Sequence, residues 1–93
     1  MDEFEFEWDA DKARANLRKH GVSFAEGATV FRDRLARHAR VSVVDGQTRS
    51  VVVGLSSLGR LLVVAFVDRG TIRVISTRRA TPFERHAYQE VDL

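Results

Sequence analysis

The sequence predicts an α+β domain in which helices cover an antiparallel sheet. Three observations carry this. Residues 40–77 hold four strand-like runs separated by short turn signals. Segments with helical start and stop signals lie before and after them. The 93 residues suffice for one domain, spanning 1–93, with one modest core.

Residues 3–8 (EFEFEW) alternate strictly. Phe4, Phe6 and Trp8 fall on one face of a strand and three glutamates on the other. Asp9 or Asp11 opens a helix that runs to His20, with a narrow apolar stripe of Ala10, Ala13 and Leu17. Arg18, Lys19 and His20 complement the end of its dipole. Gly21 and Val22 predict a Schellman ending. Ser23 to Glu26 forms a capping box and starts a second helix to about residue 31, with Phe24, Ala28 and Phe31 inward. Gly27 weakens that helix by about 1 kcal/mol relative to Ala.

Residues 32–40 (RDRLARHAR) read equally as a loop, a helix extension or the lead into a strand. Strands at 40–44 and 49–55 flank Asp45-Gly46, a strong hairpin signal. After a turn at 56–59, the runs 61–67 and 71–77 form a central hairpin around Asp68-Arg69-Gly70. Thr81, Pro82 and Glu84 supply the cap, first residue and reciprocal partner of a last helix to about residue 90, with Phe83, Ala87 and Val91 inward. The expected layout is an N-terminal strand, two helices, a four-stranded antiparallel meander and a C-terminal helix, with the helices on one face.

Composition narrows the function classes. There is no cysteine, hence no disulfide framework, thiol nucleophile or Cys-based zinc site. His20, His38 and His86 lack ligand spacing, so no metal or cofactor is expected. The acidic start is unlike a secretory leader, and the longest apolar run, 61–67, is too short to span a bilayer. A cytoplasmic location without membrane contact is expected. Six of the thirteen acids precede residue 12, so fifteen basic against seven acidic residues follow, a surplus of eight. Such a body suits a polyanion, with nucleic acid first among the candidates.

Three stretches resemble the BrnT toxins of bacterial type II toxin–antitoxin operons: FEWDADKARANLRKHGVSFAEGATVF at 6–31, VVVGLSSLGRLLVVAF at 51–66 and IRVISTRRATPFERHAY at 72–88. The combination carries the resemblance: the Lys19-His20-Gly21-Val22 corner, Gly59-Arg60, the Ile75-Ser76-Thr77-Arg78 strand end, then Thr81, Glu84 and Tyr88. It implies a RelE-like fold and a ribonuclease that halts translation. It also implies neutralisation by a BrnA-like ribbon-helix-helix antitoxin, through which operator DNA is contacted. The sequence departs from the family pattern at Asp33-Arg34-Leu35, where Asp-Pro-Leu is usual. It departs again at 37–40 and 47–49, where acidic residues are usual.

Metal-free RNA cleavage uses the neighbouring 2′-hydroxyl as nucleophile. The protein orients it, moves protons and stabilises charge on phosphorus. Arginine suits the last role. Arg60 enters one leg of the central hairpin and Arg78 ends the other, so they are the candidate catalytic clamps. Alternatively both are rim arginines in ion pairs, Arg78 with Glu84. His20 is either a proton carrier or a C-cap. Lys19 either binds RNA phosphate or is a solvated cation. Arg49 reaches the same rim or is a surface charge. Arg73 points away from Arg78 unless a bulge intervenes, and then supports the sheet, the antitoxin or RNA. Tyr88 stacks on a base or sits half-buried in the core. The competing class is a non-catalytic protein- or nucleic-acid-binding module. A DNA-binding regulator fits poorly, because no helix-turn-helix precedes a basic recognition helix.

Overall fold

The computed structural model describes residues 4–89, without the side chains of 39 and 40. The chain runs β1 (Phe6–Glu7), α1 (Ala10–His20), α2 (Phe24–Ala28), a 3-10 turn (Thr29–Arg32), β2 (Arg37–Val44), β3 (Gln47–Leu55), β4 (Leu61–Arg69), β5 (Thr71–Arg79) and α3 (Pro82–Gln89). The sheet is larger than the expected four-stranded meander. Its order is β1-β5-β4-β3-β2, and β1 joins the edge parallel to β5. β1 is also shorter than its alternation suggested. Among the described residues Phe6 and Glu7 pair in register with Ile72 and Arg73, and Glu5 O accepts from Ile72 N–H (2.8 Å), before Asp9 caps α1 and the chain turns away. Residue 3 of the expected strand, and residues 90 and 91 of the expected last helix, lie outside the described residues.

The undecided stretch at 32–40 resolves into the end of the 3-10 turn, a short link and an early start of β2 at Arg37. Asp33 organises the link. Its carboxylate accepts from the Leu35 N–H (2.9 Å) and the Leu55 N–H (2.7 Å). An Asx-type turn thus does locally what proline does by restricting φ. At the β2–β3 turn Asp45 and Gly46 both have positive φ (52° and 74°), as a two-residue hairpin of the primed type requires.

The helices do not share one face, as the sequence suggested. Val22, Phe24 and Val30 pack with Val52, Leu62, Val64, Phe66, Ile72 and Val74 on the first face, joined by Phe6, Trp8 and Phe31. Tyr88 of α3 packs with Val53, Leu61 and Val63 on the second. Strand alternation separates the two sets. Inward assignments change accordingly. In α3, Phe83 is 81% exposed and Tyr88 is the buried residue. In α1, Leu17 is exposed and Asn16 is buried.

Asn16 is buried because it completes the sheet. β1 pairs only with the start of β5, which leaves Thr77, paired with Val64 of β4 on one side, without a strand on the other. The Asn16 carboxamide takes that place. Its Nδ2 donates to Thr77 O (2.9 Å), and its Oδ1 accepts from Thr77 N–H (3.2 Å). The same Nδ2 reaches Thr77 Oγ1 and Val22 O. α2 then passes over Thr77 at Gly27. A Cβ at residue 27 would stand 2.2 Å from Thr77 Cγ2, so glycine is there for contact, despite its cost to the helix.

Two stability predictions follow from this clamp. Helix propensity alone says Gly27→Ala should gain about 1 kcal/mol. The overlap with Thr77 instead predicts a loss of about 1–3 kcal/mol, readable as a lower urea midpoint. Asn16→Ala leaves several buried groups at Thr77 and Val22 with lost partners and should cost on the order of 2–4 kcal/mol. Either variant with an unchanged midpoint would refute this account of the clamp.

Candidate functional site

Site geometry begins at the β3–β4 turn. Ser56 N–H donates to Arg60 O (2.8 Å), and Ser56 Oγ donates to Glu26 Oε2 (2.7 Å). Ser57 N–H donates to Thr29 Oγ1 (2.8 Å). The turn is therefore fastened to α2 and the 3-10 turn, and it delivers Arg60 beside Glu26. Arg60 donates to the Glu26 carboxylate in bidentate fashion through Nε (2.9 Å) and Nη2, and its Nη2 also reaches Gly21 O (3.3 Å). This explains why the expected capping box is only half formed. Glu26 N–H does take Ser23 Oγ (3.0 Å), but the Glu26 carboxylate is engaged by Arg60 and Ser56. The Arg60 hydrogen bond, opposed by burial and helped by Ser56, holds the Glu26 carboxyl below its ordinary value. Arg60 is correspondingly raised, chiefly by the same bond.

Arg78 forms a second bidentate pair, donating to Glu84 at 2.8 Å through each terminal nitrogen. Here the capping box is complete: Thr81 N–H donates to Glu84 Oε1 (2.8 Å) and Glu84 N–H to Thr81 Oγ1 (3.1 Å). The Arg78 bond, outweighing burial and joined by those from Thr81, lowers Glu84 to about 2. Arg78 is raised, first by its bond to Glu84.

The expected convergence of Arg60 and Arg78 is not found. Leu61 and Val63 belong to the α3 face, so Arg60, one residue before Leu61, points to the α2 face and its Glu26. Arg78 pairs in register with Val63 and shares the α3 face with Glu84. Arg79, paired with Leu62, is the β5 arginine on the Arg60 side. An open depression of about 260 Å³ brings Arg60, Arg79 and Arg85 together with Gly59, Leu61 and Ala80 at this end of the sheet. Arg79 stands in the sequence as one of the arginines of the central hairpin, and neither it nor Arg85 is among the candidate site residues there. A strand-parity count from Leu61 points to Arg79. Arg85 lies one residue after the Glu84 of the capping box.

Arg73 and Arg78 do share a face, because a bulge intervenes. Ala65 pairs with Ser76 and Phe66 with Val74, so Ile75 is extra in β5. Arg73 pairs with Val67 on one side and Glu7 on the other, and its Nη1 lies 3.7 Å from Glu7 Oε2. Continuing the β3–β4 register places Arg49 beside Val67 from the opposite side. Val67 is buried between them, as expected if their aliphatic stems lie over it. The Arg49 Nε is buried with no hydrogen-bond partner among the described residues. The second face thus carries Arg49, Arg73 and Arg78 around a shallow floor of Val51, Ala65 and Ser76, none of them fully buried. α3 covers only the end of this face at Val53, Leu61 and Val63.

Tyr88 goes to the core and not to a stacking position. It is 8% exposed, and its hydroxyl donates to Asp33 Oδ2 (2.5 Å). Burial and then the Asp33 bond push it up to about 12. Asp33 is lowered: burial works against ionisation, and the donors from Leu55, Tyr88 and Leu35 outweigh it. Lys19 and His20 close α1 beside Gly21, the residue tied to Arg60, so they flank the Arg60 end of the sheet and not the Arg49–Arg73 face. Among the described residues no three of His, Asp and Glu gather as metal ligands. No described helix is long and apolar enough to cross a membrane.

A family model described as the ribonuclease toxin BrnT of type II toxin–antitoxin systems matches residues 8–84. The chain is also similar to the crystal structure of the Brucella abortus ribonuclease toxin BrnT. The identity is 25% and the TM-score 0.65, over 85% of this chain and 99% of that one. No curated protein matches the sequence.

The ion pairs set an acid limit. Glu26 and Glu84 have folded-state values below the ordinary 4.5. Their stabilisation is complete above that value and is lost as pH falls towards the folded value, about 2 for Glu84. Melting temperature should therefore drop between pH 4.5 and 2 in wild type. The drop should be shallower in Glu84→Gln, which is already less stable at pH 7. Parallel pH curves for the two proteins would contradict the pairing. Absorbance titration of the single tyrosine should show ionisation displaced from 10 towards 12, and Asp33→Asn should lower it.

Proposed function

The chain belongs to the BrnT family of ribonuclease toxins of type II toxin–antitoxin systems, and from that premise we propose that it is a metal-independent RNA endonuclease that inhibits translation. The observation that carries this reading is the arginine-framed open half of the sheet. Arg49, Arg73 and Arg78 stand on one face around small residues, and the Arg49 Nε is a buried donor that nothing in the described protein satisfies. Buried donors are normally paired, and a phosphate oxygen is the partner that the surrounding positive charge selects.

An RNA strand laid along this face has its backbone on the guanidinium groups. Single-stranded RNA is held in just this way on basic surfaces, largely by phosphate contacts. The attacking group is the substrate's own 2′-hydroxyl. The protein's part is to align it with the scissile phosphorus and to neutralise the extra charge of the transition state. Arg49 and Arg73 are the residues on this face best placed for it. Arg78 is more constrained, because Glu84 already occupies its fork. Arg60 serves as a positioning residue, since its bonds to Glu26 and Gly21 fix the corner that carries Lys19 and His20. The metal-free route draws on what guanidinium groups can do: they are permanently charged planar forks that can neutralise the transition state on phosphorus.

Control in the cell falls to an antitoxin. We assign a BrnA-like ribbon-helix-helix protein to this role, covering the basic face and contacting operator DNA on behalf of the complex.

The test uses the purified chain with RNA in EDTA. Cleavage should persist in the chelator and fall at least tenfold in Arg49→Ala and Arg73→Ala. Induction in cells should arrest growth, and co-expression of the adjacent antitoxin gene should restore it. Cleavage that needs an added divalent ion would overturn the metal-free route. Full activity in both arginine variants would overturn the site.

A further inference from the structure

The depression at the end of the sheet lies apart from the Arg49–Arg73 row. Arg60 and Arg79 reach it from the first face, and Arg85 reaches it from α3. Arg60 enters it with two of its three guanidinium nitrogens committed. Nε and Nη2 hold Glu26 and Gly21 O, whereas Nη1 has no hydrogen-bond partner among the described residues. Arg79 and Arg85 have no side-chain hydrogen bond or ion pair among the described residues, and both are exposed. Three guanidinium charges less the Glu26 carboxylate leave a surplus of two at one opening. The nearest counter-charge, Glu26, is already held in a bidentate pair, and its residual field reaches Arg79.

Like charges gathered at one opening repel each other, and an anion relieves the repulsion. A surplus of two is matched by a phosphate monoester, which carries about −1.5 to −2 at neutral pH. A carboxylate would leave half of it unbalanced. Planar forks suit phosphate oxygens. The volume of about 260 Å³ is several times the roughly 30 Å³ of one water, so a phosphate and part of its ester group fit. We infer that Arg60, Arg79 and Arg85 form a phosphate-binding subsite at the sheet end, separate from the row proposed to hold the scissile linkage. The subsite rests on the RNA-binding reading only for the source of its phosphate.

The full-length chain is titrated with a 2′-O-methyl oligoribonucleotide, which lacks the free 2′-hydroxyl, in two forms: with and without a 5′-phosphate. Inorganic phosphate is the competitor. In the wild type, inorganic phosphate should displace RNA and should raise the melting temperature above that in chloride of equal ionic strength. Arg79→Ala/Arg85→Ala should bind RNA about tenfold more weakly. Its salt slope should be smaller by about 0.7 for each lost contact, and its response to phosphate should disappear. Arg79→Lys/Arg85→Lys keeps the charge without the fork and should fall between the two. Tighter wild-type binding of the 5′-phosphorylated strand, lost in the alanine variant, is expected of a site matched to a phosphate monoester, whereas equal binding of the two strands would overturn that match. Unchanged affinity and unchanged phosphate response in the alanine variant would overturn the subsite even if cleavage is intact. A wild type that binds no RNA but is still stabilised by phosphate through Arg79 and Arg85 would overturn the RNA reading and leave the subsite standing.

Discussion

A single side-chain amide fixes how the layers of this protein meet. Asn16 presents a donor and an acceptor to the Thr77 backbone in the manner of a neighbouring strand, on an edge that two-residue β1 is too short to reach. An unpaired edge is both unsatisfied and open to unwanted pairing, and the amide answers both problems with one residue. It also sets the depth of α1, whose apolar stripe is too narrow to do so. Because Thr77 is at once the target of Asn16 and the neighbour of Gly27, both helices of the first face are registered on one residue of β5. The basic residues at the end of that strand, Arg78 and Arg79, follow immediately.

Carboxylates then distribute the arginines. Glu26 and Glu84 sit in the first turns of α2 and α3, and each takes one arginine in a bidentate grip. These pairs are only partly buried: the arginine side chains are 29% and 35% exposed. Their contribution to stability is accordingly modest, and their larger effect is directional. Arg60 is drawn to one side of the sheet and Arg78 to the other. Arg49, Arg79 and Arg85 have no ion pair among the described residues and remain to meet an anion. A basic surface of this kind combines a rigid sheet with charge that has no ion-pair partner among the described residues. That combination is what recognition of a polyanion asks for, because pre-paired charge must be released before it can bind.

Tyr88 and Asp33 show a similar economy at the end of β3. One carboxylate accepts from the link after the 3-10 turn, from the end of β3 and from the last helix. It joins elements of both layers, so α3 is held by a polar latch as well as by the small second core cluster.

The sequence by itself determined the α+β class, the principal helices, the hairpin turns, the charge surplus and the family resemblance. Each of these is written in short-range signals: Asp45-Gly46 needs only its own backbone to declare a turn, and Thr81 to Glu84 needs only one turn of helix. Three things were left to tertiary structure. Which arginines share a surface depended on the unpaired Ile75, since one extra residue inverts the side to which everything beyond it points. The fate of Arg60 depended on Glu26, 34 positions away, whose local pattern promised a cap. The burial of Asn16 and the exposure of Leu17 depended on an unfilled strand edge that no periodicity in α1 can register. Local signals fix elements because the partners are close in sequence. A site made of charges is fixed by partners brought together from far apart, and only the packed chain decides which charges those are.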